Sequence, residues 1–374
     1  MPEKIGHGAV CVLPFCREVL YNGKNLGGEA VKTIIKIEIA LLVVVALVAT
    51  AMCLISAGAL MWLKEPVVLE RETVPIPTEA VMESQTPEEP ETPAGDIADA
   101  LPEAATPAEA AQSRDLTAKS YFIYDVREAG FLKQKGDMEA KVYPASITKL
   151  MTSYVLLQHM KPKDKVVVGA DALALVHPDS SLAWLKIGDT LTVDQLIAAM
   201  MLPSGNDAAH VAAVAAGREI AGKKNLDAKT AEEAFLKEMN KQAKKLGMTG
   251  SHFVPPDGMH HDDHYTTAKD LITLSSKVLA EPTILRYTSR AQATAKTPTR
   301  SMTWKNTNIL LNPESSCYIP STIGLKTGYT DAAGNCLMSA FFMEDRLILI
   351  GVFGCPKKTM DRYLDTVDLY NSLL

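Results

Sequence analysis

Ser146 and Lys149 stand three positions apart where a helical pattern of apolar residues begins, and that pattern continues over 147–157. Positions i and i+3 lie on one face of a helix, so the Lys149 amine can reach the Ser146 hydroxyl. A serine hydroxyl is a weak nucleophile without a neighbouring base. A lysine can be that base when burial lowers its pKa. The pair therefore predicts nucleophilic attack on a carbonyl group.

Two downstream triplets strengthen this prediction. Ser204-Gly205-Asn206 follows an apolar helical run, and Lys326-Thr327-Gly328 lies in a strand-like segment. Each motif alone has an ordinary explanation: a helix start with an exposed lysine, a turn, or an exposed strand end. Ser-x-x-Lys, Ser-x-Asn and Lys-Thr-Gly in this order are the signature of serine penicillin-binding proteins and β-lactamases.

The first third of the 374-residue chain does not have the pattern of a globular domain. Residues 39–63 are apolar and nearly uncharged, which is long enough for one transmembrane helix. More basic residues precede this run than follow it, so 1–38 is expected to be a short cytoplasmic tail. The alternative is a cleaved signal peptide, because Ala57-Gly58-Ala59 resembles a cleavage site. Cleavage would release a secreted form.

Residues 64–115 are expected to form a disordered, acidic, Pro-rich linker. Eight prolines, twelve acidic residues and one basic residue lie between positions 65 and 113. The remaining chain, 116–374, carries 30 Lys and Arg against 27 Asp and Glu, a net charge of +3. This balance gives no indication of a nucleic-acid surface.

Residues 116–374 have strand patterns at both ends and helix patterns between them. Predicted strands lie at 120–126, 130–134, 322–328, 336–342 and 347–353. Predicted helices follow Ser146 and lie at 194–201, 208–216, 231–246, 268–280 and 361–373. Thr192 is the expected N-cap of the helix at 194–201. This order predicts an α+β domain in which the first strand joins the last three in one antiparallel sheet, beside a helical subdomain.

From residue 118 onwards the chain resembles the D-alanyl-D-alanine carboxypeptidases, low-molecular-weight penicillin-binding proteins of serine peptidase family S11. The matching segments are 144–152, 203–209, 239–240, 245–248, 264–268, 306–308 and 324–330. The resemblance implies a β-lactamase/transpeptidase-like domain. It also implies removal of the terminal D-alanine from peptidoglycan stem peptides through an acyl-enzyme, with no cofactor and no metal.

The resemblance assigns roles to the catalytic group. Ser146 attacks the penultimate D-alanine carbonyl, and Lys149 accepts its proton. Ser204 relays a proton to the leaving D-alanine. Asn206 holds Lys149 or the substrate amide.

It also assigns a substrate-binding group. Lys326 places positive charge near the substrate carboxylate, and Thr327 hydrogen-bonds to that carboxylate. Gly328 lets substrate lie close to the strand. The backbone N–H of Tyr329, together with that of Ser146, forms the oxyanion hole.

The implied partners are peptidoglycan stem peptides, β-lactam antibiotics as inhibitors, and the cell membrane through the N-terminal helix. Three alternatives remain open. A β-lactamase would use the same serine and lysine, but no Glu-x-x-Leu-Asn-like stretch is found between 207 and 320. A D,D-endopeptidase or transpeptidase would differ only in the acceptor. A non-catalytic wall-binding or signalling protein would lack the chemistry.

Other groups have structural interpretations. A possible metal loop is suggested by three histidines and three aspartates, but the resemblance makes this a surface loop. They are His260, His261, His264, Asp257, Asp262 and Asp263. Trp184 and Trp304 are expected to be packing residues. Cys336 and Cys355 lie on two strands joined near 344–346. If Asp345-Arg346 is the turn, they face each other directly, and either a disulfide or two buried thiols result.

Overall fold

The computed structural model describes residues 114–356 and 360–374. The expected cytoplasmic tail, the transmembrane segment 39–63 and nearly all of the expected linker 64–115 lie outside the described residues. Within the part described, no helix combines the length and the apolar character needed to cross a membrane.

The strands of the main sheet lie at both ends of the domain, and most helices lie between them, as expected. The strands are β1 Ser120–Asp125, β2 Gly130–Lys135, β3 Lys165–Val167, β4 Thr190–Thr192, β5 Gln292–Lys296, β6 Ser301–Lys305, β7 Thr322–Thr330, β8 Gly334–Met343 and β9 Arg346–Cys355. The α-helices are α1 Thr148–His159, α2 Ala170–Leu173, α3 Val193–Met201, α4 Asn206–Ala221, α5 Ala228–Lys245, α6 Ala268–Leu279, α7 Pro282–Thr288 and α8 Asp361–Asn371. Short 3-10 turns lie at Ala145–Ile147 and Ile309–Leu311.

The main sheet has five strands in the order β2-β1-β9-β8-β7, and each neighbouring pair is antiparallel. The prediction that the first strand joins the last three in one sheet is confirmed. β7, which carries Lys326-Thr327-Gly328, is an edge strand of this sheet. One side of its backbone therefore remains outside the sheet ladder.

The sheet separates two apolar cores. Side chains of β9 alternate between its faces, as the period of a strand requires. Leu349 and Phe353 join the larger core with the helical part. Ile348 and Ile350 join a smaller core with Leu369 of α8. Helices therefore cover both faces of the sheet.

The helix before the second triplet begins as its sequence predicted. The Thr192 hydroxyl accepts a hydrogen bond from the Gln195 N–H at 3.2 Å, and the Gln195 side chain accepts one from the Thr192 N–H at 2.9 Å. This reciprocal capping box fixes the start of α3. Its C-terminus leads directly into the Ser204 loop.

The structure corrects the prediction that Cys336 and Cys355 face each other directly. Met343 pairs with Arg346, so Glu344 and Asp345 form the turn. A β-bulge then places Asn335, not Cys336, opposite Cys355. Both thiols are buried and free, which agrees with the alternative of two buried thiols.

The two tryptophans differ in environment. Trp304 is buried, and its Nε1–H donates a hydrogen bond to the Ala183 carbonyl at 3.0 Å. Trp184 is 72% exposed, so the prediction that it is a packing residue is wrong. Its backbone has a φ of 60°, between neighbours whose N–H groups both bind the Asp207 carboxylate. The loop conformation therefore directs the indole outward.

Asp365 of α8 ties the start of the domain to its end. Its carboxylate is buried and accepts hydrogen bonds from the Thr117 hydroxyl at 2.9 Å and the Ala118 N–H at 2.7 Å. Arg114 pairs with the same carboxylate and with Asp368. These contacts hold the segment before β1 against α8.

We expect Asp365→Ala to lower the free energy of unfolding by about 3 kcal/mol, because buried donors lose their acceptor. Asp368→Ala removes the other carboxylate beside Arg114, at a half-exposed position, and is expected to cost less than about 1 kcal/mol. Urea unfolding followed by tryptophan fluorescence measures both. Equal losses in the two variants would contradict the assignment to Asp365.

Candidate active site

Ser146 lies in a tight turn that glycine contacts hold in place. The serine is half-buried in the 3-10 turn Ala145–Ile147, so α1 begins two residues after it rather than around it. A Cβ at Gly258 would lie 2.0 Å from the Ala145 carbonyl oxygen, and one at Gly328 would lie 2.8 Å from the Pro144 oxygen. Only glycine permits these approaches, which fix the turn between β7 and the loop before α6.

The Lys149 amine is fully buried and contacts three oxygen atoms. Its Nζ lies 2.9 Å from the Ser146 Oγ, as the i, i+3 spacing predicted. It also lies 2.7 Å from the Asn206 Oδ1 and 2.7 Å from the Asp257 carbonyl oxygen. These contacts aim the amine at the serine hydroxyl.

Burial lowers the pKa of Lys149 to about 8, although the nearby carboxylates of Asp257 and Asp207 act in the opposite direction. A lysine in water has a pKa near 10.4, so burial greatly increases the uncharged fraction at neutral pH. The uncharged amine has a lone pair that can accept the Ser146 proton. The pair therefore has the geometry and the basicity of a nucleophile and its general base.

The second triplet reaches Lys149 because of its glycine. The Asp207 carboxylate accepts hydrogen bonds from the N–H groups of Ala183 and Leu185 at 2.8 and 2.9 Å. A Cβ at Gly205 would lie 2.7 Å from both the Ala183 Cβ and the Asp207 Oδ1. A side chain at position 205 would push the loop around Ala183 away from the start of α4 and would move Asn206.

Ser204 precedes this glycine in a left-handed backbone conformation. Its φ is 63° and its side chain is buried. Such a conformation costs a non-glycine residue about 1–3 kcal/mol and is concentrated at functional sites. Asn206, two residues further on, binds Lys149, so one loop delivers both polar residues of the triplet to this region.

The third triplet adds a second buried lysine. Lys326 is buried, and its Nζ donates a hydrogen bond to the Thr327 carbonyl at 3.1 Å. Burial holds the pKa of Lys326 well below its usual value, and the positive charges of Lys149 and Arg362 add to that effect. The two motif lysines are therefore electrostatic neighbours. An anion bound beside them would offset their repulsion.

The remaining motif residues line the edge strand. The Thr327 hydroxyl lies 2.6 Å from the Thr307 hydroxyl. Tyr329 is half-exposed, and its hydroxyl donates a hydrogen bond to Asp331 at 2.7 Å. The sequence reasoning gave Gly328 a role toward substrate, and the structure adds its contact with the Ser146 turn.

Three residues near the site were missed as site residues in the sequence reasoning. Arg362 of α8 donates a hydrogen bond to the Gly328 carbonyl at 3.1 Å. Asp257 and His264 were assigned to a surface loop, which is wrong for both, because each is 1% exposed. No local spacing pattern connects these residues to the motifs. Only the fold places them together.

His264 supports the start of α1. Burial lowers the pKa of His264 to about 3, so its ring is neutral at physiological pH. The Val254 N–H donates to its Nδ1 at 3.1 Å, which leaves the proton on Nε2. Nε2 lies 2.8 Å from the Thr148 hydroxyl and donates to it. The described residues contain no cluster of His, Cys, Asp or Glu that could bind a metal.

Comparison with known proteins identifies similar enzymes. The profile of the peptidase S11 family, described as D-alanyl-D-alanine carboxypeptidase, matches residues 106–356. D-alanyl-D-alanine carboxypeptidase DacF of Bacillus subtilis is 29% identical over 249 residues, which cover 64% of this chain and 59% of that protein. DacD of Escherichia coli is 32% identical over 254 residues, with the same two coverages. The chain therefore spans about three fifths of the length of these curated relatives.

Solved structures share the fold. The Streptomyces K15 DD-transpeptidase superposes with a TM-score of 0.61 at 29% identity, over 69% of this chain and 97% of that one. Penicillin-binding protein D2 from Listeria monocytogenes, in its cefotaxime-bound form, gives 0.57 at 28% identity, over 69% and 98%. The expected transpeptidase-like fold with an antiparallel sheet is thus confirmed.

We expect Gly205→Ala to lower the free energy of unfolding by about 1–3 kcal/mol, because the added methyl group overlaps Ala183 and Asp207. Gly130→Ala is the matched control, since its Cβ would have no neighbour nearer than 3.8 Å, and it is expected to change stability by less than about 0.5 kcal/mol. Chemical denaturation compares the two. A Gly205→Ala variant as stable as the parent would contradict the crowding argument.

Proposed function

The chain belongs to serine peptidase family S11, the D-alanyl-D-alanine carboxypeptidases, and on that premise we propose that it removes the terminal D-alanine from peptidoglycan stem peptides. The reaction passes through an acyl-enzyme on Ser146. The observation that carries this proposal is the fully buried Lys149 amine, 2.9 Å from the Ser146 Oγ and with a pKa of about 8.

Acylation begins when the Ser146 Oγ attacks the carbonyl carbon of the penultimate D-alanine. Lys149 accepts the hydroxyl proton as the new C–O bond forms. The N–H groups of Ser146 and Tyr329 stabilise the negative oxygen of the tetrahedral intermediate. The close contact between Gly328 and the Ser146 turn supports this assignment, because a Gly328 Cβ would lie 3.3 Å from the Ser146 nitrogen.

The intermediate collapses when the C–N bond to the terminal D-alanine breaks. The leaving nitrogen takes a proton from Lys149 through the hydroxyl of Ser204, and this regenerates the uncharged amine. Asn206 keeps that amine in place through its hydrogen bond at 2.7 Å. Lys149 then activates water, which hydrolyses the ester and frees Ser146.

The positive groups at β7 bind the carboxylate of the terminal D-alanine. Lys326 and Arg362 supply charge, and the Thr327 hydroxyl donates a hydrogen bond. The lowered pKa of Lys326, which burial and two neighbouring cations cause, supports this role. A carboxylate there stabilises the charged form of Lys326 and offsets the repulsion among the cations.

β-Lactams inhibit the enzyme in the same way, because their strained amide and carboxylate resemble the D-alanyl-D-alanine end. The second candidate function is transpeptidation, which the name of the similar Streptomyces K15 enzyme favours. The two activities share the acyl-enzyme and differ in whether water or an amine accepts the acyl group.

The membrane location also belongs to this proposal. The apolar segment 39–63 anchors the chain as a single span, with the N-terminus in the cytoplasm and the catalytic domain outside. The acidic, Pro-rich linker then sets the distance between the membrane and the active site. The hydropathy and charge pattern of the sequence support this placement.

We expect the full chain to form a long-lived covalent adduct with a fluorescent penicillin and to release D-alanine from a stem pentapeptide. Ser146→Ala is expected to lose both activities, because Ser146 is the hydroxyl to which Lys149 hydrogen-bonds in the described part of the chain. Denaturing gels and an assay of free D-alanine measure the two. An added amine acceptor separates transfer from hydrolysis.

Rapid release of the label in place of a stable adduct would identify a β-lactamase. A folded wild-type protein that neither takes the label nor cleaves peptide would contradict the proposal and favour a binding protein. Label on Ser146→Ala equal to that on the wild type would exclude Ser146 as the nucleophile.

We expect the rate constant for acylation to rise with pH and to reach half its plateau near pH 8. The sign follows because the pKa of Lys149 is lowered to about 8 and only the uncharged amine accepts the serine proton. Lys149→Arg stays charged and is expected to lose activity by about 10²–10⁴-fold at every pH. Stopped-flow measurement from pH 6 to 10 tests this, and a flat profile would contradict it.

A further inference from the structure

A buried histidine lies between two carboxylates beside the active site. The Nδ1 of His210 on α4 is 2.6 Å from the Glu232 Oε2 on α5, and its Nε2 is 3.4 Å from the Asp257 Oδ2. All three side chains are largely buried. At 3.4 Å the second contact is an ion pair rather than a well-formed hydrogen bond, and this oxygen makes no hydrogen bond among the described residues. The positive charge of His210 therefore compensates the negative charge of this Asp257 oxygen.

Asp257 connects this histidine to the catalytic base. Its carbonyl oxygen accepts a hydrogen bond from Lys149 at 2.7 Å, while its carboxylate faces His210. The other carboxylate oxygen of Asp257 accepts a hydrogen bond from the Met259 N–H at 2.9 Å. One residue thus presents its backbone to the reaction and its charge to His210.

Lys149, Asp257 and His210 each face further titratable groups. Lys149 faces the carboxylates of Asp257 and Asp207 and the side-chain amine of Lys326. Asp257 faces Lys149 and His210, and the neutral His264 lies within its field. His210 faces Glu232 and Asp257. His210 is thus the cation that balances Asp257 on the side away from Lys149.

The protonation of His210 agrees with that arrangement. Burial alone would lower the pKa of His210, but the carboxylates of Asp257 and Glu232 outweigh it and raise the pKa to about 9. Burial likewise would raise the pKa of Asp257, but His210 and Lys149 bring it below its usual value. His210 is therefore positively charged and Asp257 negatively charged at neutral pH.

We propose that His210 is a positioning residue of the reaction. Its imidazolium neutralises Asp257, so that this buried carboxylate does not hold the Lys149 amine in its charged, unreactive form. The inference rests on the function proposed above, since it concerns the same base. It assigns a reaction role to a residue outside all three sequence motifs.

Two single substitutions are expected to act in opposite directions. His210→Gln removes the cation, leaves the Asp257 charge uncompensated, and shifts the rise of acylation rate to higher pH by about one unit. This makes acylation about tenfold slower at pH 7, with rates that converge above pH 10. Asp257→Asn removes the anion, keeps the His210–Glu232 pair, and shifts the rise to lower pH.

The test is the rate constant for acylation of the full chain by a fluorescent penicillin, measured from pH 6 to 10. In the double variant His210→Gln/Asp257→Asn both charges are gone, and the profile is expected to return close to that of the wild type. Thermal melting verifies folding. If His210→Gln does not fold, His210→Asn replaces it, because it also removes the cation and is expected to shift the profile to higher pH in the same way.

His159→Gln is the matched control. His159 at the end of α1 lies 3.5 Å from Glu238 of α5. The substitution therefore removes a similar histidine–glutamate contact away from the site. Its profile is expected to coincide with that of the wild type. A shift in this control equal to that of His210→Gln would overturn the proposal.

Other outcomes also overturn it. Profiles of folded single variants that coincide with the wild type, or that shift in the same direction, contradict the charge argument. A double variant worse than either single change would show a purely structural role. Each of these results leaves the proposed function intact, because acylation itself occurs. A wild type that is not acylated at any pH would instead refute the proposed function.

Discussion

The burial of the Lys149 amine is the interaction on which the rest of the structure depends. An ammonium group is costly to remove from water, and here the amine hydrogen-bonds to oxygen atoms of Ser146, Asn206 and Asp257. The cost of burial is what lowers its pKa to about 8. The same desolvation that would be a defect in a core makes this lysine a base.

Three separate segments must converge on that amine, and glycine makes each approach possible. Gly328 lets the edge strand β7 pack against the Ser146 turn, and Gly258 lets the loop before α6 reach the same turn. Gly205 brings α4 and its Asn206 against the 180–185 loop. The motifs thus contain both the side chains that can react and the glycines that allow close packing around them. The sheet and α1 supply the rigid frame.

Much of this arrangement could be predicted from the sequence because it is local or periodic. Strand alternation indicated the five strands of the sheet, and the Thr192 cap indicated the start of α3. Several short elements were missed, among them α7, β5 and β6, because five to seven residues give little periodicity. The turn lies one residue earlier than expected, and a bulge follows near Cys336, so Cys336 and Cys355 do not pair. Asp257, His210 and Arg362 were not recognised because only tertiary packing places them near the motifs.

The central claim is that burial lowers the pKa of Lys149 to about 8, so that a far larger fraction of its amine is uncharged at neutral pH than in a lysine in water. Its most direct test is an NMR titration of the free enzyme with carbon-labelled lysine side chains, in which Lys149→Arg identifies the signal. The account predicts one lysine resonance that titrates near pH 8 and is absent from the variant. A Lys149 signal that titrates above pH 10, as lysines in water do, would contradict it.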